Sequence, residues 1–311
     1  MAEKSGAKEQ GGELVPIPPT PPRQYKHTLD DYVDGPEKRA LQDIVSNMTY
    51  HELHKIYGVE AEHSFLFHGP PGTGKTYGVH AIRNELEKTG KSVGYYEYSI
   101  GEHGTAYINM GARILEDFLD GITDMVQRGI DDAAIVHFDE CEAIMGHRGS
   151  TQGHKEDDKL LNTLMTHLQR IGDNHLPVYC FFSTNFIERL DKASIRAGRI
   201  HRKVEFHLPD QATIARAYEL EREKVNRKAG WEVIRKLNKD DLASATAGLS
   251  LADVHEIVSG SVRDALRRTI NRELVGKADH VRQADILEFI RGYRCNSPER
   301  AARRIGFELP R

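Results

Sequence analysis

Gly69-Pro70-Pro71-Gly72-Thr73-Gly74-Lys75-Thr76 is a full match to the phosphate-binding loop G-x-x-x-x-G-K-[ST]. The loop follows the apolar run Ser64–His68 and precedes a helical pattern, which is the context that this motif requires. Its glycines allow successive backbone N–H groups to point at phosphate oxygens. In such a loop Lys75 reaches the β- and γ-phosphates, and the Thr76 hydroxyl ligates Mg²⁺. The stretch therefore predicts a site for a nucleoside triphosphate.

The sequence around this loop alternates between strand and helix patterns from about residue 28 to residue 207. Alternation of this kind is typical of an α/β fold with a parallel sheet covered on both faces. The predicted strands are Ser64–His68, Ser92–Tyr98, Ala134–Phe138, Val178–Phe182 and Lys203–Phe206. After Leu208-Pro209-Asp210 the strands stop and helical patterns follow, so this turn predicts the boundary of a smaller helical domain.

The composition limits the class of protein. A chain of 311 residues has room for two domains, and a net charge of −4 gives no overall signature of nucleic-acid binding. Its three cysteines are widely spaced, which argues against a disulfide framework. No apolar stretch has the length of a membrane span, and no signal peptide is recognisable. We therefore expect a cytoplasmic protein without membrane contact.

The first 24 residues are polar and then proline-rich. A segment of this composition cannot form a packed core, so it predicts a disordered tail. A polyproline ligand for a partner protein is the alternative.

An acidic pair, Asp139-Glu140, follows the third predicted strand. Open α/β sheets place their ligands at the carboxyl ends of the strands. Asp139 is therefore predicted to hold Mg²⁺, directly or through water, and Glu140 to orient and deprotonate the water that attacks the γ-phosphate. Asn185 follows the next strand, and it is predicted either to contact the γ-phosphate or the attacking water or simply to form a turn.

A cluster of arginines lies between Arg189 and Arg202 and includes Arg196 and Arg199. Arginines stabilise the charge that develops on a transferring phosphoryl group, and a neighbouring subunit can supply them. The alternative is a solvated basic loop.

Together these segments resemble the AAA ATPases, specifically the classical clade, over about residues 28–292. Leu29–Gly35 is similar to the adenine-side segment of the family. Arg196-Ala197-Gly198-Arg199 is similar to its Arg-Pro-Gly-Arg step, with Ala197 in place of proline. Thr246–Asp253 resembles its lid motif Thr-x-Gly-x-Ser-Gly-Ala-Asp. Leu251 replaces the usual lid glycine, which leaves the fit around adenine open.

The resemblance implies a P-loop sheet in the strand order 5-1-4-3-2, followed by a helical lid. The implied domains are a tail (1–24), an α/β domain (25–209), a lid (210–292) and a basic extension (293–311). The implied cofactors are ATP and Mg²⁺, and the implied reaction is ATP hydrolysis.

The resemblance also implies individual roles. Asn185 resembles sensor 1, and Arg196 and Arg199 resemble arginine fingers that act on the neighbouring subunit's ATP, so the active form would be a homo-oligomeric ring, usually a hexamer. The implied nucleotide contacts are Asp34, Gly35, Gly69, Pro70, Pro71, Gly72, Thr73, Gly74, Lys75, Thr76, Tyr77 and Ala252.

Family members that thread polypeptide carry an aromatic–aliphatic–Gly pore loop, and Tyr107-Ile108-Asn109 lies in the corresponding stretch. Tyr107 and Ile108 fit a substrate-gripping loop, although Asn109 replaces the glycine. A tyrosine that packs on the core at a helix entry is the alternative. Gly146–His154 would be a second loop facing the pore, or a plain surface loop.

His51-Glu52-Leu53-His54 is similar to a zinc protease motif, but that motif needs its second histidine four positions after the first, where this chain has Lys55. The chain is also expected to be too short to carry the zinc protease domain of the membrane-anchored AAA proteases. No zinc site is therefore predicted.

These observations predict an ATP-driven ring that remodels or unfolds a protein substrate or adaptor-bound protein through a central pore. One alternative is a nucleic-acid-linked AAA ATPase, which is kept open by a basic end that contains Arg291, Arg294, Arg300, Arg303 and Arg304. Another is a nucleotide-switched assembly factor that binds a partner without threading it.

Overall fold

A computed structural model of the protein describes residues 28–32, 35–98, 111–146, 154–196, 198–271 and 280–296. Its centre is a five-stranded sheet in the order β2-β3-β4-β1-β5. The strands are β1 (Ser64–His68), β2 (Val93–Tyr98), β3 (Ala133–Phe138), β4 (Val178–Thr184) and β5 (Arg202–Glu205). The ladders from β2 to β3, β3 to β4 and β4 to β1 are parallel. Read from the other edge, this is the predicted order 5-1-4-3-2, so the predicted fold class is confirmed.

Strands β1 to β4 are buried almost throughout, as expected for a sheet with both faces covered. Neighbouring residues of a strand point to opposite faces, and aromatic rings stack on both of them. Phe181 of β4 stacks on Phe65 at 4.8 Å between ring centroids. Phe182 stacks on Phe138 at 4.9 Å. The strand ends are therefore held by a densely packed core.

The described α-helices alternate with these strands and then follow them. They are α1 (Pro36–Thr49), α2 (His51–Tyr57), α3 (Lys75–Glu87), α4 (Gly111–Gln127), α5 (Glu142–Met145), α6 (His154–Asp173), α7 (Gln211–Ala229), α8 (Lys239–Ala245), α9 (Leu251–Asn271) and α10 (Gln283–Asn296). Short 3-10 helices lie at Leu29–Asp31 and Ile187–Arg189. Helices α4 and α6 bury apolar stripes in one core cluster with β2, β3 and β4.

Helices α7 to α10, which the sequence predicts to form the lid, pack around an apolar core of their own. Helix α7 begins directly after the predicted turn because Asp210 caps it, with its carboxylate accepting a hydrogen bond from Thr213 N at 2.7 Å. Helix α9 buries Val254 and Ile257 in this core. Leu266 and Ile270, later in the same helix, are 57% and 64% exposed, so the apolar periodicity of α9 continues past this core.

By packing, the described residues divide into two compact units. The first, called here the sheet unit, contains the described residues up to Leu29, all of Arg39–His68 and the described residues of Thr76–Val204. The second, the loop-and-lid unit, contains Asp30–Lys38, Gly69–Lys75 and the described residues from Glu205 onward. The domain limits predicted from the sequence remain predictions. None of the described helices combines the length and the apolar character needed to cross a membrane.

Candidate active site

The phosphate-binding loop follows β1 and ends where α3 begins at Lys75. Gly69, Gly72 and Gly74 have φ angles of 137°, 74° and 104°. Side chains disfavour these angles, so the glycines of the motif are required by the backbone itself. A chain that turns in this way can direct successive N–H groups at one anion, at the amino terminus of a helix.

Gly69 is the most constrained of these residues. A Cβ atom at this position would lie 2.0 Å from the carbonyl oxygen of Phe206. Real Cβ atoms do not approach a backbone oxygen so closely, and the φ angle of 137° is itself unfavourable for any other residue. The first loop glycine is thus fixed both by its conformation and by the chain that follows β5.

Lys75 is buried, and its ammonium group is held inside the loop. Its Nζ donates hydrogen bonds to the carbonyl oxygens of Gly69 and Pro70, each at 2.8 Å. Thr73 donates to the Pro70 carbonyl at 2.8 Å as well. These bonds keep the positive charge beside the backbone that would surround the phosphates, which is the position that its predicted role requires.

Two other segments of the loop-and-lid unit contact the loop. The Tyr32 hydroxyl donates to the Gly74 carbonyl at 2.7 Å. From the lid, Ala252 N donates to the Gly72 carbonyl at 3.1 Å. A Cβ atom on Gly72 would lie 2.5 Å from Ser250 Oγ, so the start of α9 packs closely against this glycine. Ala252, a predicted adenine contact, therefore lies beside the phosphate loop.

The start of α9 is held by a capping box. Asp253 accepts hydrogen bonds from Ser250 N and Ser250 Oγ, both at 2.8 Å. Tyr293 of α10 donates to the same carboxylate at 2.6 Å. Burial alone would raise the pKa of Asp253, but the hydrogen bonds from Tyr293 and Ser250 lower it overall. The charged carboxylate therefore ties two lid helices together at the end of the lid that contacts the loop.

Asp139 and Glu140 follow β3, in which all six residues are buried, and both acidic residues are exposed. Glu140 has a φ of 50°, a left-handed conformation that is unusual for a residue with a side chain. Its N–H donates to Asp139 Oδ1 at 3.0 Å. The next residue, Cys141, is buried, and burial raises the pKa of its thiol, so it stays protonated. The exposed reactive groups at the end of β3 are therefore the carboxylates of Asp139 and Glu140.

The end of β4 lies next to this acidic pair because Phe138 and Phe182 are partners in the ladder. Cys141 N donates to the Ser183 carbonyl at 3.0 Å. Asn185 follows β4 and is half-buried. Asp139, Glu140 and Asn185 thus share one edge of the sheet. Thr76 and Tyr77 lie in the first turn of α3, the helix that follows β1, and both are half-buried.

A buried polar chain that sequence reasoning missed lies under this edge. His137 of β3 has no solvent exposure, and its ring contacts the Tyr95 hydroxyl at 2.9 Å and Ser183 Oγ at 2.8 Å. It links β2, β3 and β4 just before the strands end. The sequence signal was the single histidine within an otherwise apolar strand.

Arg196 and Arg199 are exposed on a turned segment of the sheet unit. Asp191 holds the start of this segment, accepting hydrogen bonds from Ala193 N and from the Ser194 hydroxyl, both at 3.2 Å. Arg199 donates to the Ala193 carbonyl at 3.2 Å. Neither arginine forms an ion pair with any residue in the described ranges. Their side chains are therefore presented outward.

Several predicted site residues lie outside the described residues. They are Asp34, Tyr107, Ile108, Ala197 and most of the loop Gly146–His154. Gly35, the other predicted residue of the adenine-side segment, is described and is half-buried. The site roles carried over from the resemblance remain predictions.

The histidines near the false zinc motif have structural partners. His51 is buried, and its ring contacts the His175 carbonyl at 3.0 Å and the Tyr179 hydroxyl at 3.1 Å. His54 contacts the Asn47 amide at 3.3 Å. Both histidines therefore serve packing in this fold.

Tyr32, Ser250 and Phe206 are further site residues that the sequence did not single out. Tyr32 belongs to the segment Leu29–Gly35 and Ser250 to the lid motif, so both lay within quoted patterns. Phe206 contributes only its backbone, and no residue pattern could have revealed that.

Comparison with known proteins gives a consistent result. The model of the family described as "ATPase family associated with various cellular activities (AAA)" matches residues 65–208. The chain is 30% identical over 253 residues to the ATP-dependent zinc metalloprotease FtsH 3 of Sphaerobacter thermophilus, which covers 81% of this chain and 46% of that protein. It is 31% identical over 245 residues to FtsH 2 of Sorangium cellulosum, which covers 78% of this chain and 37% of that protein. The chain thus spans less than half the length of these relatives.

Proposed function

Because this chain belongs to the AAA family of ATPases, we propose that it binds ATP with Mg²⁺ and hydrolyses it. The observation that carries the proposal is the phosphate-binding loop, with its three left-handed glycines and the Lys75 ammonium held inside it. The acidic edge formed by Asp139 and Glu140 supports it. Steady-state ATP turnover by the purified protein, measured with and without Mg²⁺, tests the proposal directly.

The donor groups fit a magnesium ion. Mg²⁺ prefers hard oxygen ligands and is held through few protein groups together with the phosphates. The Thr76 hydroxyl and the Asp139 carboxylate supply such oxygens. Bound Mg²⁺ would neutralise charge on the β- and γ-phosphates. Glu140 would take the proton of the attacking water, and Asn185 would hold that water or the γ-phosphate.

The two exposed arginines support an assembly in which neighbouring subunits complete each other's sites. Arg196 and Arg199 are held on an ordered turn without an acidic partner among the described residues. Guanidinium groups presented in this way can stabilise the charge on a phosphoryl group of an adjoining subunit. We propose a ring, with a hexamer as the expected size.

Mixing inactive subunits tests this arrangement. Arg199→Ala alone and Glu140→Gln alone should each lose most ATP turnover. In an equal mixture, half of the subunits carry an intact Glu140, and half of these adjoin a subunit with an intact Arg199. The mixture should therefore regain up to about a quarter of the wild-type ATP turnover. Arg189→Ala is a matched control in the same segment, since Arg189 lies over its own Phe186 ring at 4.0 Å. Mixtures as inactive as their parents would contradict sites shared between subunits.

The proposed substrate is a protein. The relatives named above are ATP-dependent metalloproteases, which points to ATP hydrolysis coupled to work on polypeptide. Their name also contains zinc, whereas this sequence has no His-Glu-x-x-His motif, so we do not extend proteolysis to it. A nucleotide-driven remodelling of proteins is the function that these observations support best.

Tyr107→Ala separates threading from a simple nucleotide switch. If Tyr107 grips substrate, this variant should keep ATP turnover within about twofold and lose at least about tenfold in the unfolding of a fluorescent protein that carries an unstructured tail. Tyr107→Phe keeps the ring and should retain unfolding. Equal unfolding by the alanine variant and the wild type would contradict a gripping role for Tyr107. Absence of unfolding by the wild type would favour the assembly factor that binds a partner without threading it.

A further inference from the structure

Three metal-ligating side chains meet in the sheet unit, away from the phosphate-binding loop in sequence. They are Glu60, His63 and His201, called here the Glu60–His63–His201 cluster. His201 Nε2 lies 3.3 Å from Glu60 Oε1, and His63 Nδ1 lies 3.8 Å from the same oxygen. The two imidazole rings are 4.4 Å apart between centroids. Neither the family resemblance nor the proposed ATPase function assigns this cluster a role.

The hydrogen bonds around His201 decide which ring nitrogen carries the proton. The Ser64 hydroxyl donates its one proton to the Arg199 carbonyl at 2.9 Å. Ser64 Oγ must therefore accept from His201 Nδ1, which lies 2.6 Å away. In the neutral ring Nε2 then has a lone pair, and that lone pair faces the Glu60 carboxylate. Either a proton on Nε2 or a metal ion must therefore lie between these two acceptors.

His63 supplies a second imidazole, and it is buried. Its Nδ1 lies 3.8 Å from Glu60 Oε1 and 3.2 Å from the Ala61 carbonyl oxygen. A metal ion at the cluster would therefore take the place of a proton on this nitrogen. Helix α6 leaves room for the carboxylate because it has a glycine, Gly172, at the point of contact. A Cβ atom there would lie 2.5 Å from Glu60 Oε1 and 2.8 Å from His63 Cε1.

We propose that the Glu60–His63–His201 cluster binds a divalent transition-metal ion of the zinc class. Two imidazole nitrogens and one carboxylate oxygen are ligands that zinc prefers, and ligands about 2.1 Å from a tetrahedral ion lie about 3.4 Å from one another. The measured separations of 3.3 and 3.8 Å are close to that value. A metal-bound histidine usually donates its other N–H to an oxygen, as His201 does to Ser64.

A second cluster of similar composition carries no such proposal. Glu116, Asp120 and His167 also lie within ligand distance of one another. There, however, Arg170 already provides the cation, since its guanidinium pairs with Asp120 and donates to His167 Nδ1 at 3.0 Å. This second cluster is therefore a matched control.

The proposed metal would also fix the segment that carries the exposed arginines. His201 lies two residues after Arg199, and Ser64 bonds to the Arg199 carbonyl and accepts from His201 N at 3.2 Å. An ion on His201 Nε2 would hold this network in one tautomer. This consequence rests on the proposed role of Arg199, whereas binding of the metal does not.

Zinc titration of the full chain, stripped of metal and free of nucleotide and Mg²⁺, tests the proposal by calorimetry. The wild type should bind one Zn²⁺ at this cluster, and its unfolding temperature should rise with Zn²⁺. Glu60→Gln, His201→Gln and Gly172→Ala should each weaken binding at least about tenfold. The alanine acts by displacing the Glu60 carboxylate.

Glu116→Gln and His167→Gln should leave zinc binding unchanged. Circular dichroism of the metal-free variants checks that each is folded. Glu60 is exposed, so Glu60→Gln should fold and can still be tested for zinc binding if a histidine variant unfolds. Absence of zinc binding by the wild type, or binding that all three cluster variants retain, would overturn the proposal and would show that a proton alone bridges His201 and Glu60. Either result leaves the ATPase function untouched, because no nucleotide is present.

Discussion

Glu140→Gln should lower ATP turnover by at least about 100-fold while ATP remains bound, because a general base typically contributes that much or more. Glutamine keeps the shape of the side chain and its exposed position after β3, but it cannot accept the proton of the attacking water. The phosphate-binding loop and the Asp139 carboxylate are unchanged in this variant. We therefore expect a protein that traps ATP, seen as steady-state turnover near background together with normal nucleotide affinity.

Glu188→Gln is the control for this result. Glu188 is exposed in the 3-10 helix Ile187–Arg189, which follows the same edge of the sheet after Asn185. Its loss of charge should change turnover by less than about twofold. Normal turnover by Glu140→Gln would contradict the assignment of the base. Loss of ATP affinity would instead mean that Glu140 serves binding. Capture of proteins or nucleic acid by the trapped form would identify the class of substrate.

Gly69→Ala should abolish nucleotide binding, with at least about a 100-fold loss of affinity for ATP. The alanine Cβ would have to occupy space 2.0 Å from the Phe206 carbonyl oxygen, at a φ of 137°. Strain of this kind costs about 1–3 kcal/mol before the backbone contact is counted. The loop must move to relieve both, and Lys75, which donates to the Gly69 carbonyl, would move with it. Fluorescence titration with a labelled nucleotide measures the loss.

Gly90→Ala separates the two causes. Gly90 also has a left-handed φ, of 86°, but a Cβ atom there would meet nothing within 4 Å. This variant should be slightly less stable, by about 1 kcal/mol, and should bind nucleotide normally. If Gly69→Ala bound ATP as well as Gly90→Ala does, the close approach of Phe206 to the loop would be wrong.

The sequence revealed the features that depend on local patterns. The strand β1 matches its predicted limits, and Asp139 and Glu140 follow a fully buried β3 as predicted. Strand β4 runs two residues further than predicted, to Thr184, because Ser183 and Thr184 are buried polar residues that an apolar pattern does not include. Local periodicity finds buried strands but underestimates those with polar ends.

Contacts between distant residues could not be predicted in this way. Ser64 and His201 are 137 positions apart, and their pairing depends on β1 and β5 being neighbours in the sheet. Tyr32 contacts Gly74 across 42 positions. The sequence did suggest that the segments of Tyr32 and Gly74 both matter, but it contains no signal for which atoms of the two segments are in contact. The cluster of Glu60, His63 and His201 arises only when the sheet is complete.

The left-handed backbone conformation of Glu140 lowers the stability of the fold, whereas its side chain is the one that we propose to act in ATP hydrolysis. A glutamate held at a φ of 50° costs about 1 kcal/mol that glycine or asparagine would avoid. Selection for heat tolerance alone would therefore favour replacing the carboxylate that we propose to activate water. Directed evolution of this chain would have to score activity at every round, because its most stable descendants would be expected to lose the reaction first.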